Sequence, residues 1–149
     1  MTALGIEVKN LTKSYNSRRV VDSVSFEIEQ GTIFALLGQN GAGKTTSLDC
    51  MTMTREYPEG DVVISGYNIR ENPERIRPII GVLPQDFHAY ANLTARENIQ
   101  YFANLYNTSN HGICSRLLDI MKLQDRSSQL YRKLSSGERR KVNIAIALW

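Results

Sequence analysis

The sequence predicts an α/β protein, and three observations carry that expectation. An unbroken apolar run, Ile33-Phe34-Ala35-Leu36-Leu37, leads into a glycine-rich stretch and then a helical pattern. A second apolar run, Ile79-Ile80-Gly81-Val82-Leu83, closes on Pro84. Beyond Pro84 the pattern is helical through to the last residue. Strand, loop and helix followed by strand and a helical block describes an α/β core with appended pieces.

Taken in order, Ile6-Glu7-Val8 and Val24-Ser25-Phe26-Glu27-Ile28 alternate apolar and polar residues, as half-buried strands do. Glu29-Gln30-Gly31 reads as a turn in which Gly31 takes a positive φ. Ile33–Leu37 is apolar throughout, which suits a parallel strand buried on both faces. Thr45–Met53 reads as a helix ended by Tyr57-Pro58-Glu59-Gly60, and Asp61–Ile64 with Tyr67–Ile69 as a hairpin about Ser65-Gly66. Ile79–Leu83 is expected to be another buried strand. Thr94-Ala95-Arg96-Glu97 is a capping box that opens a helix through about Tyr106. Ile113–Leu123 places Ile113, Leu117, Ile120 and Met121 on one helical face. The last helix begins near Ser136 and carries Val142, Ala145, Ile146 and Trp149 on one side.

Size and composition narrow the class. The chain has 149 residues, 42% of them hydrophobic and 22% charged, which is ordinary for one globular domain. A formal charge of +3 does not by itself argue for nucleic acid or a lipid surface. Cys50 and Cys114 lie far apart without metal-ligand spacing, so both are expected to be plain thiols. No apolar run approaches the ~20 residues that cross a bilayer, and no secretion leader is expected.

Gly38-Gln39-Asn40-Gly41-Ala42-Gly43-Lys44-Thr45 fits G-x-x-x-x-G-K-[ST], set between an apolar run and a helical pattern. Glycines let such a loop wrap a phosphate with its amides turned inward, and the helix start adds a positive dipole end. Lys44 reaches the β- and γ-phosphates, and the Thr45 hydroxyl is placed to ligate Mg²⁺. A chance glycine-rich turn is the rival, and the strand and helix flanks make it rare.

Asp-x-x-Gly and Asn-Lys-x-Asp, which accompany this loop in GTPases, are both missing from the sequence. Tyr15, in Leu11-Thr12-Lys13-Ser14-Tyr15, precedes the loop, and Gln85 follows it in Gly81-Val82-Leu83-Pro84-Gln85. Leu134-Ser135-Ser136-Gly137-Glu138-Arg139-Arg140-Lys141 comes next. Together and in this order they resemble the ATP-binding subunit of ABC transporters over nearly the whole chain. The stretch from Gly81 to Gln85, with Leu93-Thr94-Ala95-Arg96-Glu97-Asn98, looks most like the ABC-2-type drug and antibiotic exporters.

That resemblance implies a P-loop NTPase core with an N-terminal antiparallel β piece and a helical subdomain, in which the C-terminal strands are missing. It divides the chain into a nucleotide-binding portion, about 1–87, a helical subdomain, about 88–135, and the signature with its helix, 134–149. ATP and Mg²⁺ are the implied cofactors. Gly38, Asn40, Gly41, Ala42, Gly43, Lys44, Thr45 and Thr46 are the implied phosphate ligands, and Tyr15 the implied adenine platform. Gln85 corresponds to a glutamine that contacts Mg²⁺ and water, so Lys44 and Gln85 carry the implied chemistry. Ser135 and Gly137 of a second subunit would face the γ-phosphate in a head-to-tail dimer. A separate permease is the implied partner, at the cytoplasmic face of the membrane, and no nucleic acid is expected.

Individually these residues have plainer readings. Tyr15 can simply end an edge strand, Gln85 can be an isolated loop residue, and Ser135 to Glu138 is also an ordinary helix cap. The sequence departs from the usual Leu-Ser-Gly-Gly-Gln at Ser136 and Glu138. Ser136 fits if its φ is negative, and Glu138 is expected to turn away from phosphate or find an arginine. The family's apolar strand ending in Asp-Glu and its switch histidine have no counterpart before Trp149, so independent hydrolysis is not expected. Both histidines, His88 and His111, precede the signature and read as exposed loop residues. The expectation is a piece of a longer ATPase. Its rivals are a truncated, non-hydrolysing nucleotide-binding remnant and a soluble ABC ATPase acting on DNA or ribosomes.

Overall fold

The computed structural model describes residues 4–57, 59–105 and 112–148. The chain divides into two compact units, Met1–Ile80 and Gly81–Trp149.

In the first unit β1 (Leu4–Tyr15) and β2 (Arg18–Glu29) form a long antiparallel hairpin. Asn16 (φ 46°) and Ser17 (φ 66°) are both left-handed, giving the two-residue turn whose twist matches the flanking strands. Strand β3 (Glu59–Ile64) joins the free edge of β1, and β4 (Tyr67–Asn68) returns from it about Ser65-Gly66, in the order β2-β1-β3-β4. The hairpin expected at Ser65-Gly66 is therefore present. Gly31, at φ 79°, occupies the positive-φ turn foreseen after β2.

Helix α1 (Lys44–Met51) and the one-turn α2 (Pro73–Ile76) cover this sheet. Their buried Cys50, Met51 and Ile76 join Val8, Leu11, Val21 and Val62 in one core. Helix α1 ends at Met51 and not at Met53, because Met53 is itself left-handed at φ 58°.

Two expected strands need correction. Ile33–Leu37 is not a strand, and Ile33 and Leu37 are 101% and 87% exposed. Ile79–Leu83 is likewise no strand: a 3₁₀ turn spans Arg77–Ile79, and Ile79 and Val82 are exposed. The physical reason is common to both. A parallel strand is held by neighbours on both edges, and among the described residues neither segment has a hydrogen-bonded strand beside it.

The second unit is helical. Helix α3 (Ala95–Leu105) starts at the expected capping box, with Thr94 N donating to Glu97 Oε2 (2.7 Å) and Glu97 N to Thr94 Oγ1 (3.1 Å). Helix α4 (Ile113–Ile120) stops short of Leu123. Lys122 takes a left-handed φ of 54°, and Leu123 N donates to Leu118 O at 2.8 Å, which closes the helix in a Schellman motif. The inward face is Cys114, Leu117 and Leu118, whereas Ile120, on the flank of that face, is exposed. Helix α5 (Ser136–Ala147) buries Val142, Ala145 and Ile146 against Ile99 and Leu118. Tyr106, His111 and Trp149 lie outside the described residues.

Candidate functional site

The phosphate loop occupies the turn before α1. Ala42 N donates to Gln39 O at 3.2 Å, and Gly41 and Gly43 are left-handed at φ 83° and 84°. Gly43 is the residue the fold demands there: a Cβ would run into the carbonyl oxygen of Val20 on β2. Its own carbonyl accepts from Ser47 N (2.8 Å) and Ser47 Oγ (3.0 Å), so the first turn of α1 is anchored from within. Asn40, Gly41, Ala42 and Thr45 are exposed, and Thr46 is half-buried.

Electrostatically this end of α1 suits an anion. Its first turn contains no acidic residue, and no side chain caps its amides. The Lys44 ammonium folds back over the loop and donates to Gly38 O and Gln39 O, each at 2.7 Å. It therefore sits above the cradle, where turning outward exchanges two neutral carbonyls for phosphate oxygens. This donor set is compatible with a nucleoside triphosphate: Lys44 and the loop amides would meet the phosphates, and the exposed Thr45 hydroxyl would be available to a divalent cation.

Tyr15 lies in the same unit at the end of β1 and is 39% exposed. Two cations approach its ring, Lys13 Nζ at 5.4 Å and Arg55 Cζ at 5.6 Å from the centroid.

Gln85 and the signature residues belong to the second unit. Ser135 is the N-cap of α5, accepting from Glu138 N at 3.2 Å while Ser135 N donates to Glu138 Oε2 at 2.8 Å. Glu138 also pairs with Arg126 (3.2 Å), so its charge is engaged on the cap and on that arginine. Ser136 is the first residue of α5 and is not among the positive-φ residues, so replacing glycine there costs no backbone strain. Gly137 is exposed, with open space where a Cβ would point. Gln85 is exposed and lines a shallow cavity of about 230 Å³ with His88, Tyr131, Ser136, Arg139 and Asn143.

One buried tie in this unit escaped the sequence reading. Asn143, on the inward face of α5, accepts from Tyr131 Oη at 3.0 Å and donates to Phe87 O at 3.0 Å. It joins the signature helix to the segment just after Gln85. A polar residue among Val142, Ala145 and Ile146 was the available signal.

The Ser135 amide and side chain, with Arg126 adding to them, hold the Glu138 carboxyl below its ordinary pKa. A carboxylate whose folded pKa is depressed adds stability above its unfolded pKa, about 4.3, and loses it as pH falls through the folded value. We therefore expect Glu138→Gln to lower the melting temperature at pH 7. The gap to the parent chain should narrow as pH falls below the usual carboxylate range. Melting curves from pH 7 to pH 3 check this, and a gap constant with pH would refute it.

A sequence profile described as ABC transporter matches residues 21–149. The chain belongs to the ABC transporter family. As an ABC chain it is 35% identical to the bacitracin transport ATP-binding protein BcrA of Bacillus licheniformis, over 96% of its own length and 47% of that protein. It is 30% identical to the linearmycin resistance ATP-binding protein LnrL of Bacillus subtilis, with the same shares covered. A solved ATP-binding subunit of an ABC transporter superposes with a TM-score of 0.80 at 32% identity, covering 95% of this chain and 60% of that one. The resemblance read from the motifs, to the ATP-binding domain of the ABC drug exporters, is confirmed by these matches. This ABC chain spans about half the length of those two relatives. Among its described residues no helix is long and apolar enough to cross a membrane.

Proposed function

We propose that the chain supplies the nucleotide-binding half-site of an ABC exporter's ATP-binding subunit. The observation that carries this reading is the loop before α1, where Lys44, glycine amides and a helix start free of acidic residues converge on one turn. Lys44 and the amides of residues 41–46 would hold the β- and γ-phosphates, and Thr45 the Mg²⁺, whose charge would offset that of the phosphates. Ser135 and Gly137 would complete the site of a second copy head to tail, which agrees with an exposed Gly137 and a Ser135 hydroxyl at the start of α5. A separate membrane permease would be the mechanical partner, with the subunit peripheral at the cytoplasmic face.

The departure at Glu138 is compatible with this role, because its carboxylate is already bound by Ser135 N and Arg126. The test uses the protein expressed together with a candidate membrane permease. Co-purification with that permease, and ATP turnover abolished by Lys44→Ala, are the expected results. Turnover that survives Lys44→Ala would overturn the reading.

A further inference from the structure

Resting on the reading of Tyr15 as the base platform, we infer that Arg55 is a second residue that binds the nucleobase. Arg55 leaves the turn after α1 and lays its guanidinium against the Tyr15 ring, 5.6 Å from the centroid. That position is held rather than fortuitous. Arg55 Nε donates to Asp49 Oδ2 at 3.2 Å, and Arg55 N to Asp49 O at 3.0 Å, so both backbone and side chain are tied to the last turns of α1. Asp49 is itself on the helix that begins at the phosphate loop, about 7.5 Å of helix rise beyond Lys44. Ring, guanidinium and phosphate loop thus belong to one compact unit and are coupled through one helix.

The chemistry is that of a two-sided clamp. A guanidinium is planar and weakly hydrated, and it stacks on aromatic faces in a way an ammonium does not. A base inserted between ring and guanidinium needs about 7 Å, twice the ~3.5 Å contact distance of stacked planes. The present 5.6 Å opens to that by a small swing of a side chain that is 45% exposed. Asp49 keeps the guanidinium over the ring while the base enters. Lys13 Nζ, 5.4 Å from the same centroid, carries charge without a plane, so it does not stack on a base.

The test compares two ligands on the full chain, Mg-ATP and inorganic tripolyphosphate, by calorimetric titration. Arg55→Ala should weaken Mg-ATP about two- to five-fold, the range of an exposed cation–π contact, and leave tripolyphosphate unchanged. Arg55→Lys, which keeps the charge and removes the plane, should recover less than half of the loss. Equal weakening of both ligands would show a charge effect only and overturn the inference, as would unchanged or tighter ATP binding by Arg55→Ala. Tyr15→Ala separates this from the underlying reading. If Tyr15→Ala weakens ATP alone and Arg55→Ala does not, the clamp is wrong and the platform stands. If neither variant distinguishes the two ligands, both fall.

Discussion

Gly43→Ala is expected to cost the first unit about 3 kcal/mol and to remove nucleotide binding in the same step. The left-handed backbone at φ 84° penalises any side chain by about 1–2 kcal/mol. The new Cβ also meets the Val20 carbonyl oxygen, which lies in the backbone of β2 and cannot swing aside as a side chain tip would. Relieving that overlap means parting α1 from β2, a repacking worth another ~1–3 kcal/mol. The amide of residue 43 turns with it, so the loop amides leave their present places. Urea unfolding reads the first effect and ATP titration the second. A variant with parent-like stability would show that this approach of loop and strand is not kept in solution.

Asn98→Ala is expected to be the most damaging single polar change in the helical unit. Asn98 is fully buried, accepts from Tyr90 N at 2.8 Å, and donates through Nδ2 to Tyr90 O, Leu93 O and Thr94 O at 3.0–3.3 Å. Alanine does not strand every partner. Leu93 O also accepts from Tyr131 N, Tyr90 O from Leu93 N, and Thr94 O from the Asn98 amide. Tyr90 N is the group left without another acceptor among the described residues, at about 1–3 kcal/mol, and the vacated volume adds to it. We expect a total of about 3 kcal/mol, with Asn98→Asp worse, because a carboxylate there would face three carbonyl oxygens. Thermal melts of both variants check the order, and native-state hydrogen exchange at Tyr90 checks the cause. Asn98→Asp matching or exceeding Asn98→Ala in stability would refute the account.

Much of the candidate site was legible because its residue types are forced by chemistry. Glycines at the turn, a lysine at the helix start and the Ser135–Glu138 cap are local requirements, and local requirements survive in sequence. The capping box at Thr94 and the hairpin at Ser65-Gly66 were readable for the same reason. Ile33–Leu37 and Ile79–Leu83 show where reading failed. An apolar run reports that a segment is suited to burial between neighbours, and whether those neighbours lie alongside is not a local property. The end of α4 failed otherwise: nothing in Met121-Lys122-Leu123 advertises that a lysine, not a glycine, takes the left-handed position. Asn143 and Arg55 were missed because their partners, Phe87 and Tyr15, are distant in sequence. Only the fold brings them together.

The most direct test of the central claim, that the loop at Gly38–Thr45 holds a nucleoside triphosphate, is calorimetric titration of the full chain with Mg-ATP beside its Lys44→Ala variant. Lys44 is half-buried and bonds only loop carbonyls, so the variant should keep its fold. Losing its charged contacts to phosphate should cost about 3 kcal/mol, on the order of a hundred-fold in affinity. Saturable one-site binding that weakens to that extent is the predicted result. Equal affinity in the two proteins, or no binding by a parent chain shown to be folded, would contradict it.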